Sequence, residues 1–380
     1  MGDSVTGGGG RGIKVQKLTR LISITITSLV AIFLLTACIE SPPTATSPQP
    51  TVTASGETST PPLDWIAIYF SDTHSPTADS YRGGPDAALA DAIHKAHASV
   101  DVAIYHLNLW SIRDALIEAH QKGVQVRVVT ESDNLDEVEI QELIDAGIPV
   151  LGDRRESYMH NKFVVIDNAE VWTGSMNFTT TGAYHNDNHL IRLRSPQLAE
   201  NYTTEFEEMF TQDFFGDNIL SNTPHPQLEI EGALVETYFS PDDGTAGRIV
   251  ELINAAQSTI SFMVYSFTSD EIASALLSQA SNGVTVMGVF EENQYLSNAG
   301  TKFDQLLASG LDVRLDGNPN NMHHKVLIID EAIVITGSYN FSNNAEKRND
   351  ENTLVIHHPA IAAEYLAEFE RVFGEAQRNE

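Results

Sequence analysis

The chain has 380 residues, with 22 Lys and Arg against 52 Asp and Glu, and a formal net charge of −30. Proteins that hold nucleic acid gain most of their affinity from Lys and Arg set against phosphates, so this balance disfavours long DNA or RNA as a target and, less decisively, a strongly anionic membrane. The single cysteine, Cys38, excludes an intramolecular disulfide.

Residues 1–37 read as an export signal. Arg11, Lys14, Lys17 and Arg20 precede an uncharged run, Leu21 to Ala37, that ends Leu35-Thr36-Ala37-Cys38. Those four residues resemble a bacterial lipobox, in which the cysteine is acylated and becomes the mature N-terminus. The expectation is a body outside the cytoplasmic membrane, tethered by lipid at Cys38. Without the leader the chain keeps 18 basic and 51 acidic residues, a net charge of −33. Residues 38–63 are rich in Ser, Thr and Pro and carry too little apolar surface to fold. Partly extended, such a tether reaches roughly 50–75 Å.

From Asp64 the sequence is an internal duplication, with lobes expected at 64–226 and 227–380 and a joint at Ser221–Pro226. Short strands at 66–71 and 234–240 open the two copies. Helical patterns at 87–98 and 246–257 lead into strands at 100–107 and 259–267. Helices at 112–123 and 271–283, each stopping on Gly, precede strands at 124–130 and 284–290. Helices at 139–147 and 302–310, again ending on Gly, precede strands at 148–151 and 311–315. Equivalent residues are 160 apart at Tyr105/Tyr265 and 163 apart at Gly147/Gly310. At Tyr69/Tyr238 the offset is 169, because the first copy has extra residues in the loop 71–86, read as a surface lip near the active site. Alternating strands and helices of this kind predict an α/β fold of two lobes, each a mixed sheet flanked by helices.

Each copy then reaches the same constellation. Residues 160–177 read HNKFVVIDNAEVWTGSMN and residues 323–340 read HHKVLIIDEAIVITGSYN. Both are H-x-K, four residues, D, six residues, G-S-x-N. The β-branched run after each Lys suits a buried strand, and strand alternation puts His160 with Lys162, and His323 with Lys325, on one face. Asp167 and Asp330 fall out of phase and read as structural residues at a turn. A second strand delivers Gly174, Ser175 and Asn177, or Gly337, Ser338 and Asn340. The glycines are expected to let a ligand approach the backbone. Each copy therefore gathers an imidazole, an ammonium, a hydroxyl and an amide. Such a set can attack, neutralise and hydrogen-bond a phosphodiester. Ser175 and Ser338 are the expected phosphate-binding hydroxyls.

Paired motifs of this form resemble those of the phospholipase D superfamily, and the resemblance covers about residues 65–375. It implies two duplicated lobes packed about a pseudo-two-fold axis, in one chain and so as a monomer, with the two motifs meeting in a single site. It implies a metal-independent, cofactor-free phosphodiesterase that passes through a phosphohistidine. By family habit His160 is the nucleophile and His323 the acid. Glu351, eleven residues after Asn340, matches a family carboxylate that orients a catalytic His. The equivalent position is Asn188, with Asp187 beside it as a substitute carboxylate. Phospholipid is the expected substrate, nuclease and phosphatidyl-transfer activities are the alternatives, and nucleic acid is disfavoured by charge. Among other candidates, His324 points away from His323, and His106 and Trp172 read as structural. Arg154 and Arg155 read equally as substrate contacts or as a solvated pair.

Overall fold

The computed structural model describes residues 63–377. The leader, Cys38 and all but the last residue of the tether lie outside them. In the first lobe the elements run β1 (Ile66–Phe70), α1 (Pro85–His94), β2 (Ser99–Ile104), α2 (Trp110–Gln121), β3 (Gln125–Thr130), α3 (Val138–Asp145), β4 (Val150–Gly152), β5 (Lys162–Ile166), β6 (Glu170–Gly174), α4 (Thr180–Tyr184), β7 (His189–Arg194) and α5 (Pro196–Gln212). The second lobe adds a strand, β8 (Gln227–Ile230), then repeats the series. It runs β9 (Ala233–Ser240), α6 (Thr245–Ala255), β10 (Thr259–Val264), α7 (Asp270–Ser281), β11 (Thr285–Phe290), α8 (Glu292–Ser297), α9 (Phe303–Ala308), β12 (Asp312–Leu315), β13 (Lys325–Ile329), β14 (Ile333–Gly337), α10 (Asn343–Lys347), β15 (Glu351–His357) and α11 (Pro359–Glu375).

The strand orders are β4-β3-β2-β5-β6-β7-β1 and β12-β11-β10-β13-β14-β15-β9-β8. They are the same order, with β8 added at one edge. In each sheet the first three strands are parallel and the rest antiparallel. The mixed sheets expected from the sequence are therefore present.

Burial follows from the apolar strands being covered on both faces. Helices α1–α3 pack one side of the first sheet through Leu89, Ile112 and Leu143. Helices α6, α7 and α9 cover one side of the second through Ile249, Leu276 and Phe303. Between the sheets lies a single core to which both lobes contribute. It holds Tyr202 and Phe206 of α5, Tyr365 and Phe369 of α11, Phe163 of β5 and Val326 of β13. Sharing that core fixes one lobe against the other. The helices α5 and α11 were not anticipated. Their repeat was readable, since PQLAENYTTEFEEMF and PAIAAEYLAEFERVF lie 163 residues apart.

Asp167 and Asp330 close the β5–β6 and β13–β14 hairpins with φ of 53° and 51°, a left-handed region that Asp tolerates better than most residues. The Asp167 carboxylate accepts from the backbone N–H of His97, Ala98 and Ser99. That of Asp330 accepts from Gln257, Ser258 and Thr259. Both tie a hairpin to the start of the adjacent strand, well away from the imidazoles, and those hydrogen bonds hold both carboxyls below their usual pKa against burial.

Candidate active site at the lobe interface

The two motifs enter the interface in mirror fashion. His160 N donates to Asp350 O and Asp350 N to Tyr158 O, while His323 N donates to Asp187 O and Asp187 N to Asn321 O. Each motif is thus stitched to the strand that follows G-S-x-N in the other lobe. The residue before each His is braced by a buried carboxylate. Met159 N donates to Glu131 at 2.9 Å and Met322 N to Asp316 at 3.0 Å.

This crossing decides what orients each imidazole. His160 Nδ1 lies 2.7 Å from Glu351 Oε2, so a carboxylate of the second lobe holds the histidine of the first. His323 Nδ1 lies 3.0 Å from Asn188 Oδ1 and 3.0 Å from Ser175 O, both of the first lobe. Asn188 therefore does occupy the position equivalent to Glu351. Asp187 does not substitute for it: its carboxylate is turned away, onto Arg371 and Asn318.

The lysines are buried beside the imidazoles. Lys162 Nζ donates to His160 O at 2.8 Å, and Lys325 Nζ to His323 O at 2.9 Å, with His323 Nε2 3.3 Å away. Two tyrosines that the sequence offered only as repeat markers complete the walls. Tyr105 meets the His160 ring at 5.0 Å and lies 5.2 Å from Lys162 Nζ; Tyr265 meets His323 at 4.6 Å and Lys325 Nζ at 5.0 Å. Each ring presents its π-face to an ammonium group and holds it beside its imidazole.

Two expectations fail. The Ser175 and Ser338 hydroxyls do not point at a phosphate position. Both residues are fully buried, and their hydroxyls donate to Asn188 Oδ1 at 2.9 Å and to Glu351 Oε2 at 2.7 Å. They hold the groups that hold the histidines. Nor do Gly174 and Gly337 make room for a ligand. They have φ of 147° and 145°, and a Cβ would lie 2.4 Å from His189 O in one case and 2.2 Å from Asn352 O in the other. The close approach is to the neighbouring strand. Asn177 and Asn340 behave differently. The Oδ1 of each is buried without a hydrogen-bond partner among the described residues; an amide oxygen takes a donor such as an alcohol hydroxyl, and only the Nδ2 could donate to a phosphate oxygen.

The remaining candidates each have partners within the protein. Arg154 pairs with Asp213, and Arg155 with Asp350 at 2.5 Å. His106 lies 3.0 Å from Glu137, and Trp172 is buried against Tyr69 at 5.5 Å. His324 is fully buried. The loop 71–86 reaches both lobes: Ser71 Oγ donates to Asn186 O, and His74 pairs with Glu375 of α11.

Electrostatically the site is overloaded with positive charge. Burial, then Lys162 and Lys325, pushes His160 well below the usual imidazole pKa; burial, Lys325, Lys162 and His160 do the same to His323. Both half-sites lie at the lobe boundary, each imidazole hydrogen-bonded to the other lobe. Burial pulls Lys162 down to about 7 against the pull of Glu351, and burial raises Glu351 to about 7 against Lys162. A phosphodiester anion supplies the negative charge that this arrangement lacks.

A pH profile follows. Glu351 must be ionised to accept from both His160 and Ser338, and its ionised form is lost as pH falls through about 7. Lys162 must be charged, and its charge is lost as pH rises through about 7. The free-enzyme profile of kcat/KM is expected to be a narrow bell centred near neutrality. Glu351→Gln should remove the acid limb; an unchanged limb would assign it elsewhere.

Comparison with known proteins bears on this geometry. A family model described as the cardiolipin synthase, PLD-like domain, matches residues 89–210 and again residues 249–373, once in each lobe. The chain belongs to this phospholipase D-like family. A protein of Rickettsia bellii named phospholipase D is 33% identical over 153 residues, 39% of this chain and 76% of that one. The mitochondrial cardiolipin hydrolase of Xenopus tropicalis is 34% identical over 133 residues, 35% of this chain and 63% of that one. Both matches span about the length of one lobe. The solved phosphatidylserine synthase of Haemophilus influenzae is 14% identical, with a TM-score of 0.60 over 82% of this chain and 86% of that one, a likeness of fold alone. The phospholipase D-like lobe thus occurs twice here, and each copy completes the other's histidine.

Proposed function

We propose that the protein is a phosphodiesterase that hydrolyses the headgroup side of a phospholipid through a phosphohistidine. The observation that carries the reading is the crossed orientation of the histidines: each Nδ1 is engaged by the opposite lobe, which leaves each Nε2 to face a shared phosphorus. Neutral His160 attacks phosphorus through Nε2. The P–O bond to the headgroup alcohol breaks, and His323, which takes up a second hydrogen on Nε2 once the bound phosphodiester anion offsets Lys325 and Lys162, gives that proton to the oxygen. Water, deprotonated by His323, then opens the P–N bond and releases phosphatidate. Glu351 stabilises the positively charged phosphohistidine ring, a task that an amide performs less well. This is the support for giving His160, not His323, the nucleophilic role. Lys162 and Lys325 face the non-bridging oxygens, each attraction worth about 4 kcal/mol at 4 Å and an effective dielectric near 20. Asn177 and Asn340 donate to the same oxygens through Nδ2. No metal or cofactor enters the scheme.

The lipid reading rests on charge and on the expected tether. A body that is more than thirty charges negative repels a polyanion, and a lipidated Cys38 would hold the enzyme outside the cytoplasmic membrane, beside its substrate. The direct test is a substrate panel of phosphatidylcholine, phosphatidylethanolamine and single-stranded DNA, each with and without EDTA. Release of choline or ethanolamine, insensitive to chelator, is expected. Cleavage of DNA with all lipids intact would make the protein a nuclease, and activity lost to EDTA and restored by Mg²⁺ or Zn²⁺ would overturn the metal-free scheme. Phosphatidylglycerol formed with added glycerol would mark it as a transferase.

A further inference from the structure

The catalytic scheme leaves two buried histidines unused. His189 opens β7, and His324 sits between His323 and Lys325 of the second motif. Both are fully buried, and they meet across the lobe boundary with Nδ1 atoms 3.0 Å apart and rings 5.2 Å apart. At the positions 163 residues away the lobes carry Asn161 and Asn352, which also meet across the boundary, through a 2.9 Å amide hydrogen bond. The same contact is thus built twice, once from amides and once from imidazoles.

The imidazole version has a fixed direction. Glu368 Oε1 lies 3.0 Å from His324 Nε2, and a carboxylate only accepts, so that nitrogen carries the hydrogen. With that one ring hydrogen, His324 has its lone pair on Nδ1 and accepts from His189 Nδ1–H. The lone pair of His189 falls on Nε2, where Thr336 Oγ1 donates at 2.5 Å. Ser175 Oγ, 3.1 Å from His189 Nδ1, faces a nitrogen that already carries hydrogen. Its own hydrogen is directed to Asn188 Oδ1, the oxygen that engages His323. One buried carboxylate, itself held by Arg371, therefore sets the hydrogens as far as Ser175, which also offers its backbone O to His323 Nδ1; Asn188 keeps its oxygen toward His323 because its Nδ2 donates to Gly182 O.

We propose that His189 and His324 are positioning residues for His323, carrying the influence of Glu368 across the lobe boundary to the Ser175–Asn188 pair that seats its Nδ1. On the other half-site Glu351 touches His160 directly and needs no relay, which is why amides suffice there. The inference rests on the proposed role of His323 but is read independently of it.

The test uses the full chain and two variants. His324→Asn removes the donor to Glu368 and frees the tautomer of His189. The double variant His189→Asn/His324→Asn copies the amide pair of the other side. Ser175 O and Asn188 Oδ1 both require the hydrogen on Nδ1 of His323, and ¹H and ¹⁵N NMR of that Nδ1–H reports the strength of its hydrogen bond with no substrate present. The expected result is a downfield, slowly exchanging Nδ1–H signal in the wild type, an upfield-shifted and exchange-broadened one in His324→Asn, and restoration in the double variant. With substrate, kcat of His324→Asn should fall about tenfold or more while KM stays within about twofold, and the double variant should recover most of the loss. An unchanged His323 spectrum and kcat in a His324→Asn protein that is merely less stable would reduce the pair to packing and overturn the proposal. If the wild type turned over no phosphodiester, the proposed function would fall while the Nδ1–H measurement still decided this inference.

Discussion

His160→Asn and His323→Asn are each expected to lower turnover of a phospholipid by about ten-thousand-fold or more, because the first removes the nucleophile and the second the acid of a single reaction. Asparagine keeps a polar side chain of similar reach, so both proteins should fold. The two losses should differ in kind. An activated phosphodiester with a p-nitrophenolate leaving group needs no proton donor, so His323→Asn should regain much of the first step and accumulate acid-labile phosphoprotein. His160→Asn has nothing to attack with and should regain none. Phosphate trapped on His323 in the His160→Asn protein would reverse the roles. The carboxylate of Glu351 stands 2.7 Å from His160 and an amide faces His323, and this difference is what gives the assignment a physical basis.

Gly337→Ala is expected to cost about 3 kcal/mol or more of stability. Its φ of 145° lies where a side chain is strained, and the added Cβ would stand 2.2 Å from Asn352 O. Relief requires moving β14 away from β15, the strand that carries Glu351 at its first position. The damage therefore extends to the His160 half-site. Gly247→Ala is the control: it lies in α6, and a Cβ there meets nothing within 4 Å. It should be neutral or slightly stabilising, as alanine for glycine in a helix usually is. Urea midpoints of the two variants measure the difference. A Gly337→Ala midpoint within about 1 kcal/mol of the wild type would show that the hairpin relaxes without cost, contrary to the tight packing of such interiors.

Much of the architecture was legible because duplication makes local signals repeat. Two H-x-K strands with the same downstream G-S-x-N, at one fixed offset, located both half-sites. Strand periodicity separated His160 and Lys162 from Asp167 correctly. The strands β7 and β15 are hard to read locally because they open on polar residues, His189 directly after Asn188 in one and Glu351-Asn352 in the other, which read as loop. They are buried because each faces the other lobe.

The sequence by itself determined the elements of each lobe, the twin motifs and the residues able to do phosphate chemistry, since these depend on side-chain type and on spacings of a few residues. The tertiary structure alone decided that Glu351 serves His160 and Asn188 serves His323, that the two serines brace those groups, and that the two glycines admit a strand in place of a ligand. The first of these depends on which lobe a side chain meets, and chain order carries no record of a contact formed between residues 135 to 191 positions apart; the serine and glycine contacts lie within a lobe and turn on the register in which β6 pairs with β7 and β14 with β15.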